Sequence, residues 1–412
     1  MKTMKLPAVG LLFYLCVSAF VMESILKYNN VLWSVNQYRT IASMNGNVLS
    51  EWKIAEIFLI SFMFLLSFPL KRNMVTYSGL ALMTSGVIWL VREINIPDTV
   101  SLYKNAFDVH FEMIALQMTP ATMIFMGMTF IIAQSPTVQR YMVNVCPFCA
   151  VFYTILCLIN SLDFMRSFPG MRMADGKIIE YFLSALFLLG IWSIKGRNSK
   201  LHHLIIYICA FVLIFCSIII TSRGWMLQSF LLLIFCYISF SERIISSRLT
   251  RICLLLSVFI VMYIMAQHFL GDQIRFIISR FSKDTRSGQL MEFFSQVPLS
   301  KLAVGQGMNA SYSFAGQSSY KYIDNQFLFF MFRYGVIPLV LYLLPFACSL
   351  FGKSCRNKAA SWLSQKFVII MWLLAMGGLS VYFTLRIDIS GFFILIFAIS
   401  GCLRKKGLSA AL

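Results

Sequence analysis

Residues 218–233, IIITSRGWMLQSFLLL, set a single arginine, Arg223, between two runs of almost pure hydrocarbon. Neither run shows the strict alternation of a lipid-facing strand. A spanning segment must satisfy its own backbone hydrogen bonds, so the pair predicts two helices joined by a tight turn at 221–224. The same pattern recurs along the chain, which is 59% hydrophobic and 12% charged over 412 residues, with 39 Phe and 24 Met. Its mean hydropathy is +0.78. A soluble domain needs far more polar surface to cover its core. The composition therefore predicts an all-α, polytopic integral membrane protein, a single transmembrane domain over 1–412 with no separate soluble domain.

Runs of roughly 17–25 apolar residues, the length that crosses a bilayer as a helix, fall at 6–23, 54–70, 75–91, 113–134, 142–162, 178–194, 204–220, 225–240, 252–270, 326–351, 367–385 and 388–403. Twelve spans put both termini on one side. The first run follows Lys2 and Lys5 like a signal peptide, but no small-residue cleavage site comes after it, so it is expected to be a retained helix. The N-terminus, the short loops at 71–74, 135–141, 195–203, 241–251 and 352–366, and the tail from Arg404 hold 18 of the 35 Lys and Arg but only one acid, Glu242. An excess of Lys and Arg in short loops marks the cytoplasmic face. The net charge of +19 is thus mostly a topology signal and gives no reason to expect a nucleic-acid partner.

None of the 11 cysteines lies in a predicted outer loop, so no disulfide framework is expected. Cys146 and Cys149 form a CxxC at the start of a predicted helix, with no second pair and no nearby His, and packing is the expected use. His110, His202, His203 and His268 have no metal-ligand spacing, and no Asp-x-Asp pair suited to a divalent metal is present.

The chain departs from this plan at 271–325, an outer segment between predicted helices 9 and 10 that is too long for an ordinary connection. Ile274, Ile277, Ile278 and Phe281 follow i, i+3, i+4, i+7 spacing, with Arg275, Ser279, Ser282, Lys283 and Arg286 on the opposite face. That suits a helix lying on the outer membrane surface. A second short helix presents Leu290, Phe293, Phe294 and Val297 and stops at Pro298. The following GQGMNASYSFAGQSS is expected to be a turn-rich loop.

Arginine at bilayer depth is costly and tends to be paired or functional. Arg333, in FFMFRYG, lies about two turns into its predicted helix. Arg223 and Arg386 sit at tight outer turns, where snorkelling also accounts for them. Arg223, Arg275, Arg280, Arg286 and Arg333 would share the outer compartment. Several guanidiniums there suit a phosphate or diphosphate, whose oxygens arginine holds bidentately. No Walker-type loop appears.

TSRGWML at a helix start, TRSGQLMEFFSQVPLSKLAVGQGMN in the late outer loop, and then YIDNQFLFFMFRYGVIPLVLYLL resemble the O-antigen ligase and polymerase superfamily of bacterial membrane glycosyltransferases, over residues 218–345. The resemblance implies a GT-C-like helical architecture in the inner membrane and a role in lipopolysaccharide biosynthesis. It further implies transfer of a glycan from undecaprenyl diphosphate to an acceptor hydroxyl on the periplasmic side, without metal or other cofactor. A flippase and a chain-length regulator are the implied partners. Carried over by position, Arg223 and Arg286 would bind the diphosphate, with Arg275 and Arg280 beside them. Gly305 and Gly307 match the glycine pair after the loop helix, and Asn325 and Arg333 would help position the site.

Ligases of this family show a His-Asn pair where this chain has Asp324-Asn325. A carboxylate can still take a proton from a sugar hydroxyl. Asp324, with Glu292 as a second acid, is therefore the candidate base, and a polymerase is expected over a ligase. Asp324 has an alternative use as the cap of the helix starting at Gln326. Twelve helices also fit a flippase, but no repeat relates the two halves, as transporters usually show.

Overall fold

The computed structural model describes residues 2–30, 46–67, 70–94, 120–167, 176–195, 200–244, 286–320, 323–351, 359–379 and 388–402. Its helices are α1 (Lys2–Asn30), α2 (Gly46–Leu66), α3 (Met74–Ile94), α4 (Pro120–Ile132), α5 (Pro136–Ser167), α6 (Gly176–Lys195), α7 (Lys200–Ile219) and α8 (Arg223–Ile244). They continue with α9 (Arg286–Gln296), α10 (Leu299–Val304), α11 (Gln326–Tyr334), α12 (Val336–Phe351), α13 (Ala359–Leu374) and α14 (Ile389–Cys402). A short hairpin, β1 (Tyr312–Phe314) and β2 (Gln317–Tyr320), lies between α10 and α11. Among the described residues, four helices hold segments long and apolar enough to cross a bilayer, Ala8–Leu26, Met74–Glu93, Pro136–Arg166 and Leu201–Ile219, and six shorter apolar helices accompany them. The protein is a helical membrane protein.

Three sequence expectations need correction. The span expected at 326–351 is two helices, because Gly335 (φ 87°, ψ 175°) ends α11 before α12 begins. The stretch expected to be only turns contains the β1–β2 hairpin, closed at Ala315 and Gly316, both with positive φ, within a fold that is otherwise helical among the described residues. Helices also run past their apolar limits: α1 continues to Asn30 and α2 starts at Gly46, inside the expected 24–53 outer segment.

The chain forms two compact units. In the first (1–144, 286–356 and 373–412), α3 and α4 pack backbone against backbone. A Cβ on Gly79 would lie 2.8 Å from Gly127 O, and one on Gly86 would lie 2.8 Å from Pro120 O. Small residues of this kind let apolar helices approach closely where lipid supplies no hydrophobic drive. α12 joins α3 through Ser78, whose hydroxyl donates to Leu341 O at 2.9 Å. At the start of α3, Asn73 caps Thr76 N at 2.9 Å and donates to the Gln134 side chain at 2.6 Å. α1 and α2 share a buried charge cluster, with Lys53 Nζ donating to Glu23 at 2.6 Å and to Glu56 at 2.9 Å.

In the second unit (145–285 and 357–372), α6 is buried from Ile178 to Trp192 and forms the centre. Phe187 meets Trp372 of α13 edge to face at 4.8 Å, and Phe182 stacks on Trp225 of α8 at 4.5 Å. α7 turns into α8 through Thr221 (φ 55°), at the tight turn read from the sequence. Cys146 and Cys149 are buried, and Cys146 donates to Leu188 O at 3.2 Å. Their surroundings are those of a packing contact.

Candidate functional site

The site is built within the first unit by α9, α10, the hairpin, α11 and the last turn of α3. α9 is amphipathic. Phe293 and Val297 face inward, whereas Phe294 is exposed and Gln289 is buried in its place, a partial departure from the expected apolar face. The fully buried Phe293 ring meets Phe332 (5.2 Å, 88°) and Tyr312 (5.2 Å, 82°) edge to face, clamping α9 against α11 and β1. Such pairs add to area burial by about 0.5–1.5 kcal/mol each. The Gln296 side chain donates to Ser313 O at 2.9 Å and accepts from Ser313 N at 2.8 Å, extending the hairpin edge as a backbone strand would. As expected, α9 stops just before Pro298, at Gln296, and a separate helix follows. Pro298 is the N-cap of α10.

The two predicted glycines form a lock. α10 ends at Gly305 (φ 87°, ψ 153°) as α11 ends at Gly335. Gln306 N donates to Phe332 O and Gly307 N to Arg333 O, both at 2.8 Å, so the loop after α10 satisfies carbonyls that the end of α11 leaves open. A Cβ on Gly305 would sit 2.6 Å from Gly335 N, and one on Gly335 2.7 Å from Ala303 O. Only glycine permits both the conformation and the approach.

This lock brings in Glu93. Its side chain, 1% exposed at the end of α3, accepts from Met308 N through Oε1 at 3.2 Å, and a Cβ on Gly307 would fall 2.5 Å from that oxygen. Its other oxygen, Oε2, has no hydrogen-bond partner among the described residues. Arg92 and Arg333 both attract the carboxylate, yet each guanidinium lies over an aromatic ring: Arg92 over Trp89 at 4.5 Å and Arg333 over Phe329 at 4.3 Å. Arg333 Nε is buried without a partner among the described residues.

Glu93, Gln296, Lys301, Gln306, Asn309 and Tyr312 line an open cleft of about 450 Å³, with Phe332 among its apolar walls. Burial pushes the Tyr312 hydroxyl above the usual phenol range. A hydrogen bond from Gln289 opposes the rise, and the nearby carboxylates of Asp324 and Glu292 add to it. Tyr312 is therefore a neutral hydroxyl at any physiological pH. Among the described residues, no three His, Cys, Asp or Glu side chains gather as a metal cluster would.

The expected site residues are thus partly assembled. Asp324 and Glu292 both lie close enough to act on Tyr312. Asp324 N donates to Gln289 at 3.3 Å. The cap of α11 is Asn325, which accepts from Leu328 N at 3.2 Å, so capping does not account for Asp324. Arg333 is at the end of a nine-residue helix rather than within a long span. Arg286 is the first residue of α9 and Arg223 the first of α8, while Arg275 and Arg280 lie outside the described residues. Sequence reasoning missed Glu93, Gln306, Asn309 and Tyr312. The one available signal was an acid in the last turn of a long apolar helix, at Glu93.

Comparison with protein-family models, with curated proteins and with solved structures returned no match. Fold and site together define a helical membrane protein with a polar cleft held at the ends of apolar helices.

Proposed function

We propose that this chain is a bacterial inner-membrane glycosyltransferase that polymerises undecaprenyl-diphosphate-linked repeat units on the periplasmic face, with twelve spans and both termini in the cytoplasm. The observation that carries the reading is the cleft: hydrogen-bonding side chains, Lys301 the one cation among them, set around the buried Glu93 carboxylate and contributed by the loop whose motifs resemble that superfamily. The two ends of α3 support the sidedness. Its start bonds to Gln134, beside the basic 135–141 segment, while Glu93 at its far end bonds to Met308 of the expected outer loop.

In the proposed reaction an acceptor hydroxyl oxygen bonds to the anomeric carbon as the bond from that carbon to the diphosphate oxygen breaks. The electron pair leaves with the lipid diphosphate, the hydroxyl proton passes to a carboxylate, and the single displacement inverts the anomeric centre. Asp324 and Glu292 are the candidate bases. Arg223 and Arg286 are the first residues of α8 and α9, and the dipole at a helix N-terminus favours an anion. With the guanidinium added, each is suited to the developing charge on the diphosphate, and no metal is needed for that role.

The test is a gel of lipid-linked and surface glycan from a deletion strain, with and without the gene restored. Single repeat units on the lipid A core, without a ladder, are the expected phenotype. Ladders stalled on undecaprenyl diphosphate would instead indicate a ligase, and single units trapped on the cytoplasmic face a flippase.

A further inference from the structure

The cleft beneath the hairpin has a chemistry of its own. Gln306 and Asn309 present amides that both donate and accept, Gln296 being engaged with the Ser313 backbone, and Tyr312 adds a neutral hydroxyl. At its floor Glu93 holds one oxygen bonded to Met308 N and the other without a partner among the described residues. A buried carboxylate oxygen left in this state is unfavourable, and a ligand that donates to it relieves the cost. The group that satisfies Oε2 must donate a hydrogen bond, which an ionised phosphate or carboxylate oxygen cannot do, and Lys301, the one cation among the described residues that line the cleft, is exposed. Tyr312 and Phe332 supply apolar surface for C–H groups. The volume of about 450 Å³ falls within the roughly 300–1,000 Å³ of small-molecule sites. Hydroxyl donors, C–H faces and no net charge describe a sugar.

We infer that this cleft binds a neutral glycan, the acceptor of the proposed transfer, and that Glu93 Oε2 takes a hydrogen bond from one of its hydroxyls while Gln306 and Asn309 hold its neighbours. The assignment to the acceptor rests on the polymerase reading; the assignment to a glycan rests on the cleft. It places the acceptor glycan around Glu93, within the first unit.

The experiment uses the full chain in lipid nanodiscs, probed by saturation-transfer NMR. The probes are soluble di- to pentasaccharides of hexoses, N-acetylhexosamines and 6-deoxyhexoses. Wild type is expected to bind at least one probe. Asn309→Ala and Gln306→Ala, both at exposed positions, should each weaken that probe about tenfold, the loss of one good hydrogen bond. Glu93→Gln, which keeps an oxygen for Met308 N, should weaken it by at least as much. Ser318→Ala on the exposed hairpin should bind as wild type does. Equal binding by all three cleft variants, or no probe bound by wild type at millimolar concentration, overturns the assignment. The same variants are then tested for ladder formation in the deletion strain. Lost binding with a ladder that never required the gene leaves the glycan site standing and removes the polymerase reading. A gene-dependent ladder that the cleft variants leave intact removes the acceptor site and leaves the polymerase.

Discussion

Replacing Gly335 by alanine should open the lock between α10 and α11. At φ 87° and ψ 175° the residue lies where side chains are almost never found, a strain of about 1–3 kcal/mol for a non-glycine residue. The new Cβ would meet Ala303 O at 2.7 Å and Val304 O at 2.8 Å. Both are backbone atoms and cannot rotate aside, so overpacking adds about 1–3 kcal/mol. The sum, about 2–6 kcal/mol, is roughly 1.5 to 4 decades in a local opening equilibrium. The two bonds most exposed to this are Gln306 N to Phe332 O and Gly307 N to Arg333 O. Amide hydrogen exchange of the full chain in detergent, read on peptides covering 301–312 and 330–336, measures it directly. Faster exchange at Gln306 and Gly307 is expected. Gly288→Ala in α9, where a Cβ meets nothing within 4 Å, should instead leave exchange unchanged or slow it slightly, since alanine is favoured in a helix by about 0.5–1 kcal/mol. Unchanged protection at Gln306 and Gly307 in Gly335→Ala would refute the reasoning.

Other consequences follow from the same geometry. Lys53→Met leaves the buried carboxylates of Glu23 and Glu56 without their shared cation; a cost of about 3–5 kcal/mol is expected, seen as a lower unfolding midpoint in detergent and largely recovered when Glu23→Gln and Glu56→Gln are added. Asn325→Ala removes the side chain that caps α11 and should cost about 1 kcal/mol, whereas Asp324→Asn should leave stability unchanged by the same measurement and, in the proposed mechanism, lower chain extension. Arg286→Lys and Arg223→Lys should keep the protein in the membrane but restore ladder formation poorly, because an ammonium cannot reproduce the bidentate fork. Full ladders in both would reduce the arginines to a diffuse electrostatic role.

What the sequence discloses of this fold is where the hydrocarbon lies. The α7–α8 turn falls where Thr221 and Arg223 interrupt two apolar runs, and α10 is followed by Gly305 as the motif implied. Hydropathy does not disclose where hydrogen bonding stops. FLFFMFRYGVIPLVLYLL is apolar on both sides of Gly335, so the break between α11 and α12 leaves no trace in it. The hairpin is equally hidden, since strands of three and four residues are too short to display a period, although Tyr312 is buried and meets Phe314 and Tyr320 ring to ring. The use of Glu93, as distinct from its place at the end of an apolar helix, was hidden for another reason. Its partner, Met308, is 215 positions away in sequence, and no local pattern reports a contact made at that separation. The capping residue shifted by one, from Asp324 to Asn325, because either side chain can cap and only backbone geometry decides which does.

The central claim is tested most directly by incubating the purified full chain in liposomes with one lipid-diphosphate-linked repeat unit. The products are released from the lipid and separated by size. The account predicts a ladder of whole repeat units on the lipid diphosphate, with one lipid diphosphate released per bond formed and the same ladder when a metal chelator is present. A substrate that stays a single unit while the protein remains folded would contradict it.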